Sequence, residues 1–222
     1  MSWQVEREMQ ASSQATTQQA MVHIERILDS LSRAAHTLLP LASTPCSQAQ
    51  LRLRAEVTRN AYVRSTNLFR YNRLYCTSLL GDYDERVNPD DYADGQLWLM
   101  TGNSVTPNHP LLLYRASDGD QGVISTVDGE HLLTVLRLIG PDQALILRVG
   151  DAWMGQDGAV HRGAPAPAAK AYVVLGSARY PLSVAGGYPA DQQGRLLRSH
   201  YPALLGLLVV FGVGAGLACP WQ

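Results

Sequence analysis

The chain has 222 residues, 46% of them hydrophobic, and a formal net charge of −1. That is enough apolar material for a buried core, and Lys170 is the sole lysine among dispersed arginines. A nucleic-acid groove needs clustered positive charge, since phosphate contacts dominate such binding, so nucleic acid is excluded as a partner.

In chain order, residues 4–39 place Met21, Ile24, Ile27, Leu28, Leu31, Ala35 and Leu38 near helical spacing, with no Gly or Pro until Pro40. The pattern predicts one long helix whose first half, rich in Gln, Ser and Thr, stands free of the core. Pro40 and Pro45 end it. Residues 47–58 predict a second, short helix with Ser47 as its N-cap. From Ala61 to Gly81 the β-branched and aromatic content predicts two strands with a turn near Tyr71–Arg73. GDYDERVNPDDYADG is an acidic, turn-rich loop. Strands are predicted in QLWLMTG, PLLLYRAS and GVIST, and then a helix in GEHLLTVLRLI capped by Asp128. ALILRVG, AWMGQDGAV, AYVVLGSA and PLSVAGGY predict further strands, with HRGAPAPAAK a linker-like loop and residues 190–200 a returning helix. No internal repeat is visible.

Short hairpin-type connections imply an α+β domain: long N-terminal helices packed on a mostly antiparallel, PAS-like sheet, as in extracellular sensors, followed by a C-terminal transmembrane helix. From Tyr201 to Pro220 the chain carries no charge, and about 20 apolar residues suffice to cross a bilayer as a helix. Trp221 follows at an interfacial position. Gly212 and Gly216 form a GxxxG spacing, which lets two helices approach closely in lipid and implies a homodimer with membrane lipid around it. The expected division is a membrane-proximal helix over 1–40, a sensor domain over 41–200 and a span over 201–221. Arg195 and Arg198 before the span would by the positive-inside rule place the N-terminal side in the cytoplasm, but only Trp221 and Gln222 follow the span, too short a flank for the comparison, so the point is discounted. The chain opens without a signal peptide, and it reads as part of a longer protein.

Cys46 in STPCSQAQ and Cys76 in RLYCTSLLG admit several readings. A structural zinc site fails on ligand count, and the six histidines show no HxxH or HExxH spacing. A catalytic thiol has no base motif beside it. Buried inert thiols and a disulfide both stand. The disulfide gains if the domain lies outside the cytosol, and closing a loop of about 30 residues would stabilise by roughly 3–4 kcal/mol. Cys219 lies within the apolar span. The acidic residues Asp82, Asp84, Glu85, Asp90, Asp91 and Asp94 match no EF-hand and read as a solvated turn rather than a calcium site. Tyr62, Phe69, Tyr71, Tyr75, Trp98 and Tyr114 read as strand-core packing ahead of a ligand pocket. Ser78 lacks a GxSxG elbow and is no nucleophile.

Pro45, Cys46 and Ser47 after a long helix, then Tyr62 and Val63, then Cys76, Thr77, Ser78 and Gly81, resemble the CSS-motif domain. This is the periplasmic sensor of a group of bacterial cyclic-di-GMP phosphodiesterases. The resemblance covers residues 1–221 and departs from the motif at Thr77, where a serine is expected and a hydroxyl is kept. It implies a sensor in the periplasm, between two spans of the inner membrane, controlling a cytoplasmic EAL domain that hydrolyses cyclic-di-GMP with divalent metal ions. It also implies that Cys46 and Cys76 are a redox pair, that the disulfide holds the enzyme low, and that the Gly212/Gly216 face is a dimer contact. A periplasmic thiol–disulfide oxidoreductase would be the partner. No Glu-Ala-Leu tripeptide lies in these residues, so the EAL domain and its metal are expected outside them, and these residues need no cofactor. Two alternatives stand beside this reading: a small-molecule sensor in which the disulfide is only a staple, and a remnant without activity.

Overall fold

A computed structural model describes residues 3–103 and 106–189. The N-terminal periodicity builds helix α1 (Trp3–Leu38), at 1.5 Å per residue about 54 Å long, and all seven apolar positions picked out above are buried. The part of α1 that stands clear of the core is shorter than expected. Trp3 to Ser12 are mostly exposed, but Ser13, Thr17 and Ala20 are fully buried. These small residues allow close approach to a strand at Gly186, where a side chain would collide with Thr17. Thr17 donates its hydroxyl to the Ser13 carbonyl (2.7 Å), satisfying a polar group that packing removes from water.

A 3-10 turn (Leu39–Leu41) leads to α2 (Cys46–Arg59). Its N-cap is Pro45, which offers no side-chain acceptor, and not Ser47; the helix starts one residue before the expected Ser47, which therefore lies inside the first turn. Strands β1 (Ser65–Arg70) and β2 (Arg73–Thr77) form the expected hairpin, with Tyr71 and Asn72 both at positive φ (49° and 55°), the backbone of a two-residue turn that follows the strand twist. The acidic stretch is not all loop. Gly81–Arg86 is a strand, β3, paired with β2, and Pro89–Asp91 is a 3-10 turn.

β4 (Leu97–Met100), β5 (Leu111–Asp118) and β6 (Gln121–Asp128) follow, then α3 (Gly129–Ile139). Asp128 caps α3 as expected, accepting the Glu130 backbone N–H at 3.0 Å. It also pairs with Arg64 (2.9 Å) and His109 (2.7 Å). Burial pulls the Asp128 carboxyl upward, but these hydrogen bonds and charges outweigh it and hold it below its ordinary value. β7 (Ala144–Val149), β8 (Ala152–Met154), β9 (Val160–Arg162), β10 (Ala169–Gly176) and β11 (Ser183–Pro189) complete the described chain. AWMGQDGAV is thus split into two strands by a turn, and the start of the supposed linker belongs to β9.

The strands form two antiparallel sheets where one was expected. Their orders are β3-β2-β1-β6-β5-β4 and β10-β11-β7-β8-β9. Each begins with a three-strand meander and then returns to the open side of its first strand, so the second repeats the path of the first with one strand fewer. α1 lies along both sheets, and the core runs continuously from α1 and α2 across the inner faces of both. Among the described residues no helix is long and apolar enough to cross a membrane. The returning helix expected over 190–200 and the span expected over 201–221, with Gly212 and Gly216, lie outside the described residues.

Candidate functional site

Register along the β1–β2 hairpin sets Cys76 opposite Leu68, on the face turned toward the helices. α2 begins at Cys46 and crosses that face, so the two cysteines meet at a Cα–Cα distance of 5.2 Å and form a disulfide. That spacing lies within the ordinary range for such bonds. Cys46 is 5% and Cys76 0% exposed, and both belong to the main core.

The residues behind Cys76 organise the end of β2. Thr77 Oγ1 accepts the Leu80 backbone N–H (2.8 Å), closing the turn into β3. Ser78 is buried; its hydroxyl accepts the Thr66 N–H (3.1 Å), and its own N–H donates to the Thr66 carbonyl (2.9 Å). Across the interface Thr66 donates to the Leu53 carbonyl of α2 (3.2 Å), and Arg54 donates to the Ser78 carbonyl (3.0 Å). Gly81 sits at φ +84°, where a side chain would be strained and would meet Gln50 of α2 at 2.6 Å. The motif hydroxyls are therefore structural clamps. Thr77 serves as well as serine because the bond uses only its Oγ.

Tyr75, one residue before Cys76, completes the seam. Its hydroxyl lies 3.0 Å from both the Ala42 and Thr44 carbonyls, in the connection that delivers Cys46, and Arg70 donates to Ala42 (3.2 Å). Burial pushes the Tyr75 phenol up against the opposing influence of Arg70, so it stays a donor. Sequence reading placed Tyr75 in the core and missed Thr66, Arg54 and Gln50. The available signal was a tyrosine directly before a cysteine and, on α2, Gln50 and Arg54 at a spacing of four beside the buried Leu53.

The arrangement can do thiol–disulfide chemistry, on one condition. An attacking thiolate must reach a sulfur, and both are buried, so the first turn of α2 has to lift. That turn has no side-chain cap. Once reduced, Cys46 lies at a helix N-terminus, where the thiolate is stabilised.

Other residues singled out by sequence do not join the site. Asp84 pairs with Arg73, and Tyr62 packs edge-on against His131. Phe69 is core, while Trp98 borders a cavity together with Thr77 and Asp91.

The family model described as "CSS motif domain associated with EAL" matches residues 9–201. The chain belongs to that family. Among curated relatives, the CSS-motif chain is 25% identical over 139 residues to the probable cyclic di-GMP phosphodiesterase PdeG of Escherichia coli strain K12, covering 62% of this chain and 27% of the relative. Over 62 residues it is 37% identical to the probable cyclic di-GMP phosphodiesterase PdeD of the same organism, 28% of this chain and 12% of that one. The chain thus spans about a quarter or less of the relatives it matches. Among solved structures, an extracellular ligand binding receptor from Desulfohalobium retbaense DSM5692 has a TM-score of 0.53 at 12% identity, over 78% of this chain and 39% of that one, a likeness of fold alone.

Proposed function

We propose that this CSS-motif chain is the periplasmic redox-sensing region of a membrane-bound cyclic-di-GMP phosphodiesterase, with the Cys46–Cys76 disulfide as its switch. The observation that carries the reading is the disulfide itself: it ties the start of α2 to β2 and so fixes the connection between the long helix and the first sheet. The relatives named as probable cyclic di-GMP phosphodiesterases support the output.

Reduction takes two electrons and two protons from a periplasmic dithiol protein. A thiolate of that partner attacks one sulfur and expels the other as a thiolate; its second thiol then resolves the mixed disulfide, leaving the partner oxidised. Freed from β2, the α2 start shifts, and the change passes through the sheet and the C-terminal residues to the inner membrane. The uncharged segment 201–221 anchors the chain in lipid, and Gly212 and Gly216 supply the homodimer face. The EAL domain with its divalent metals lies outside these residues.

The test joins this chain through residues 201–222 to an EAL domain in membrane vesicles and measures cyclic-di-GMP hydrolysis. A several-fold rise with dithiothreitol, and a high, reductant-insensitive rate in Cys46→Ser/Cys76→Ser, are expected. Equal rates in all states would overturn the switch. Gly212→Leu/Gly216→Leu should reduce self-association in a membrane, and unchanged association removes the dimer face.

A further inference from the structure

The first sheet has a second face. Leu68, Cys76, Val123 and Val127 point toward the helices, and the alternate residues point away, because successive side chains in a strand face opposite sides; a bulge between Leu74 and Cys76 turns Leu74 outward as well. On that outer face, under the segment from β3 to β4, lies a cavity of about 180 Å³. Its apolar wall is Leu74, Val87, Trp98, Leu113 and Ile124. Its polar wall is Ser65, Asn67, Thr77 and Thr126. Three of those are buried, and a buried hydroxyl costs free energy unless it finds a hydrogen-bond partner. The mouth is framed by Leu79 and Leu80, which are 48% and 58% exposed.

We propose that this cavity binds a small uncharged organic molecule of about one ring carrying a group that both donates and accepts a hydrogen bond. The size follows from the volume, since an apolar cavity of about 150 Å³ holds one benzene. The polar group follows from the lining. The Trp98 ring lines the cavity, and its indole N–H is buried without a partner, so a small turn of the ring would offer that donor to a ligand. The Asn67 amide spends its N–H groups on Ser65 and the Ile124 carbonyl (3.5 and 3.4 Å), which leaves its carbonyl oxygen as an acceptor. The charged residues of the lining are Glu85, Asp91 and Arg86, two carboxylates against one guanidinium, which disfavours an anion and leaves too little net charge to hold a cation strongly.

Thr77 belongs to the cavity wall and Cys76, its neighbour, to the disulfide. Thr77 also holds the Leu79–Leu80 turn at the mouth through its bond to the Leu80 N–H. The six residues from Cys76 to Gly81 thus serve both features, so occupancy of the cavity and the state of the disulfide are coupled, and the coupling is reciprocal. The site itself stands without the redox reading; only this coupling uses the disulfide.

The test is amide and indole NMR on the ¹⁵N-labelled full chain, titrated with benzamide and phenol, and with benzoate and glycine as charged comparators. Saturable shifts of the Trp98 indole and of the Thr77 and Leu80 amides are expected with the neutral probes. Leu113→Trp, which fills the cavity, should weaken binding at least tenfold, and Asn67→Ala several-fold. No saturable shift with either neutral probe, or unchanged affinity in Leu113→Trp, overturns the site; equal binding of benzoate overturns the ligand class. Cys46→Ala/Cys76→Ala should weaken benzamide at least fivefold. Equal affinity there overturns the coupling and leaves the site, and it is distinguishable from failure of the phosphodiesterase switch because no hydrolysis is read.

Discussion

The two sheets follow nearly the same path yet are held and closed by different means. The first is tied to the helices by a disulfide and a seam of Thr66, Ser78, Arg54 and Tyr75, and its outer face is left partly hollow. The second is clamped to α1 by charge: Arg179 reaches Glu25 (2.8 Å) and Asp29 (2.7 Å), and Tyr180 donates to Asp29 (2.7 Å). Its outer face is covered in part. Trp153 packs with Ile146 and Ala185, donates to the Ala164 carbonyl (2.9 Å), and stacks on His161 at 4.1 Å. One architecture therefore yields a sheet with a disulfide and a cavity, and a sheet held by charge with a tryptophan packed on its outer face. The response proposed above would lie on the first, where a disulfide ties the backbone.

If the second sheet is the rigid support, filling matters most there. Trp153→Ala should lower stability by about 3–5 kcal/mol, read by thermal or denaturant unfolding, because it leaves a cavity where the loop can only partly collapse. A loss under about 1 kcal/mol would mean that this face is not packed in solution.

Breaking the latch should act next most strongly. Reduction, or Cys46→Ala/Cys76→Ala, should cost about 3–4 kcal/mol for a separation of 30 residues. Hydrogen exchange should then rise in α2, β2 and β3 while β7 and β11 stay protected. Uniform acceleration in both sheets would erase the distinction between latch and support. Removing the Thr66 hydroxyl with Thr66→Val should cost about 1 kcal/mol and speed reduction, measured by the appearance of alkylated thiols. In the reduced chain, iodoacetamide should label Cys46 before Cys76, since Cys46 is at a helix N-terminus and the more exposed of the two.

The smallest effect concerns the charged clamp. Burial raises the Asp29 carboxyl, but hydrogen bonds from Tyr180 and Arg179, with the charges of Arg179 and Arg33, bring it below the ordinary 3.8. A carboxyl depressed in the folded state stabilises above its unfolded value, and that contribution is lost as pH falls through the folded value. Asp29→Asn should therefore cost under about 1 kcal/mol at pH 7, the pair being half exposed on the arginine side, and should flatten the stability profile below about pH 4. An unchanged acid limb would assign it to Asp128 instead.

Much of the first region could be read from residues alone. The seven apolar positions of α1, the hairpin turn at Tyr71–Arg73 and the Asp128 cap are local patterns of spacing and turn chemistry, and each stands where it was expected. The acidic stretch was misread because β3 is an edge strand with most of its side chains in water, so it carries little hydrophobic alternation. Its strand state comes from pairing with β2.

By itself the sequence determined the three described α-helices, most strands, the α+β class and the two cysteines that a resemblance could pair. Tertiary structure decided that there are two sheets, since strand order depends on which hydrophobic faces find α1. It decided that Cys76 and Thr77 look to opposite sides of β2, one into the latch and one into the cavity. Local propensity is set within a few residues, whereas a disulfide and a cavity are made by chain segments thirty or more positions apart meeting in space.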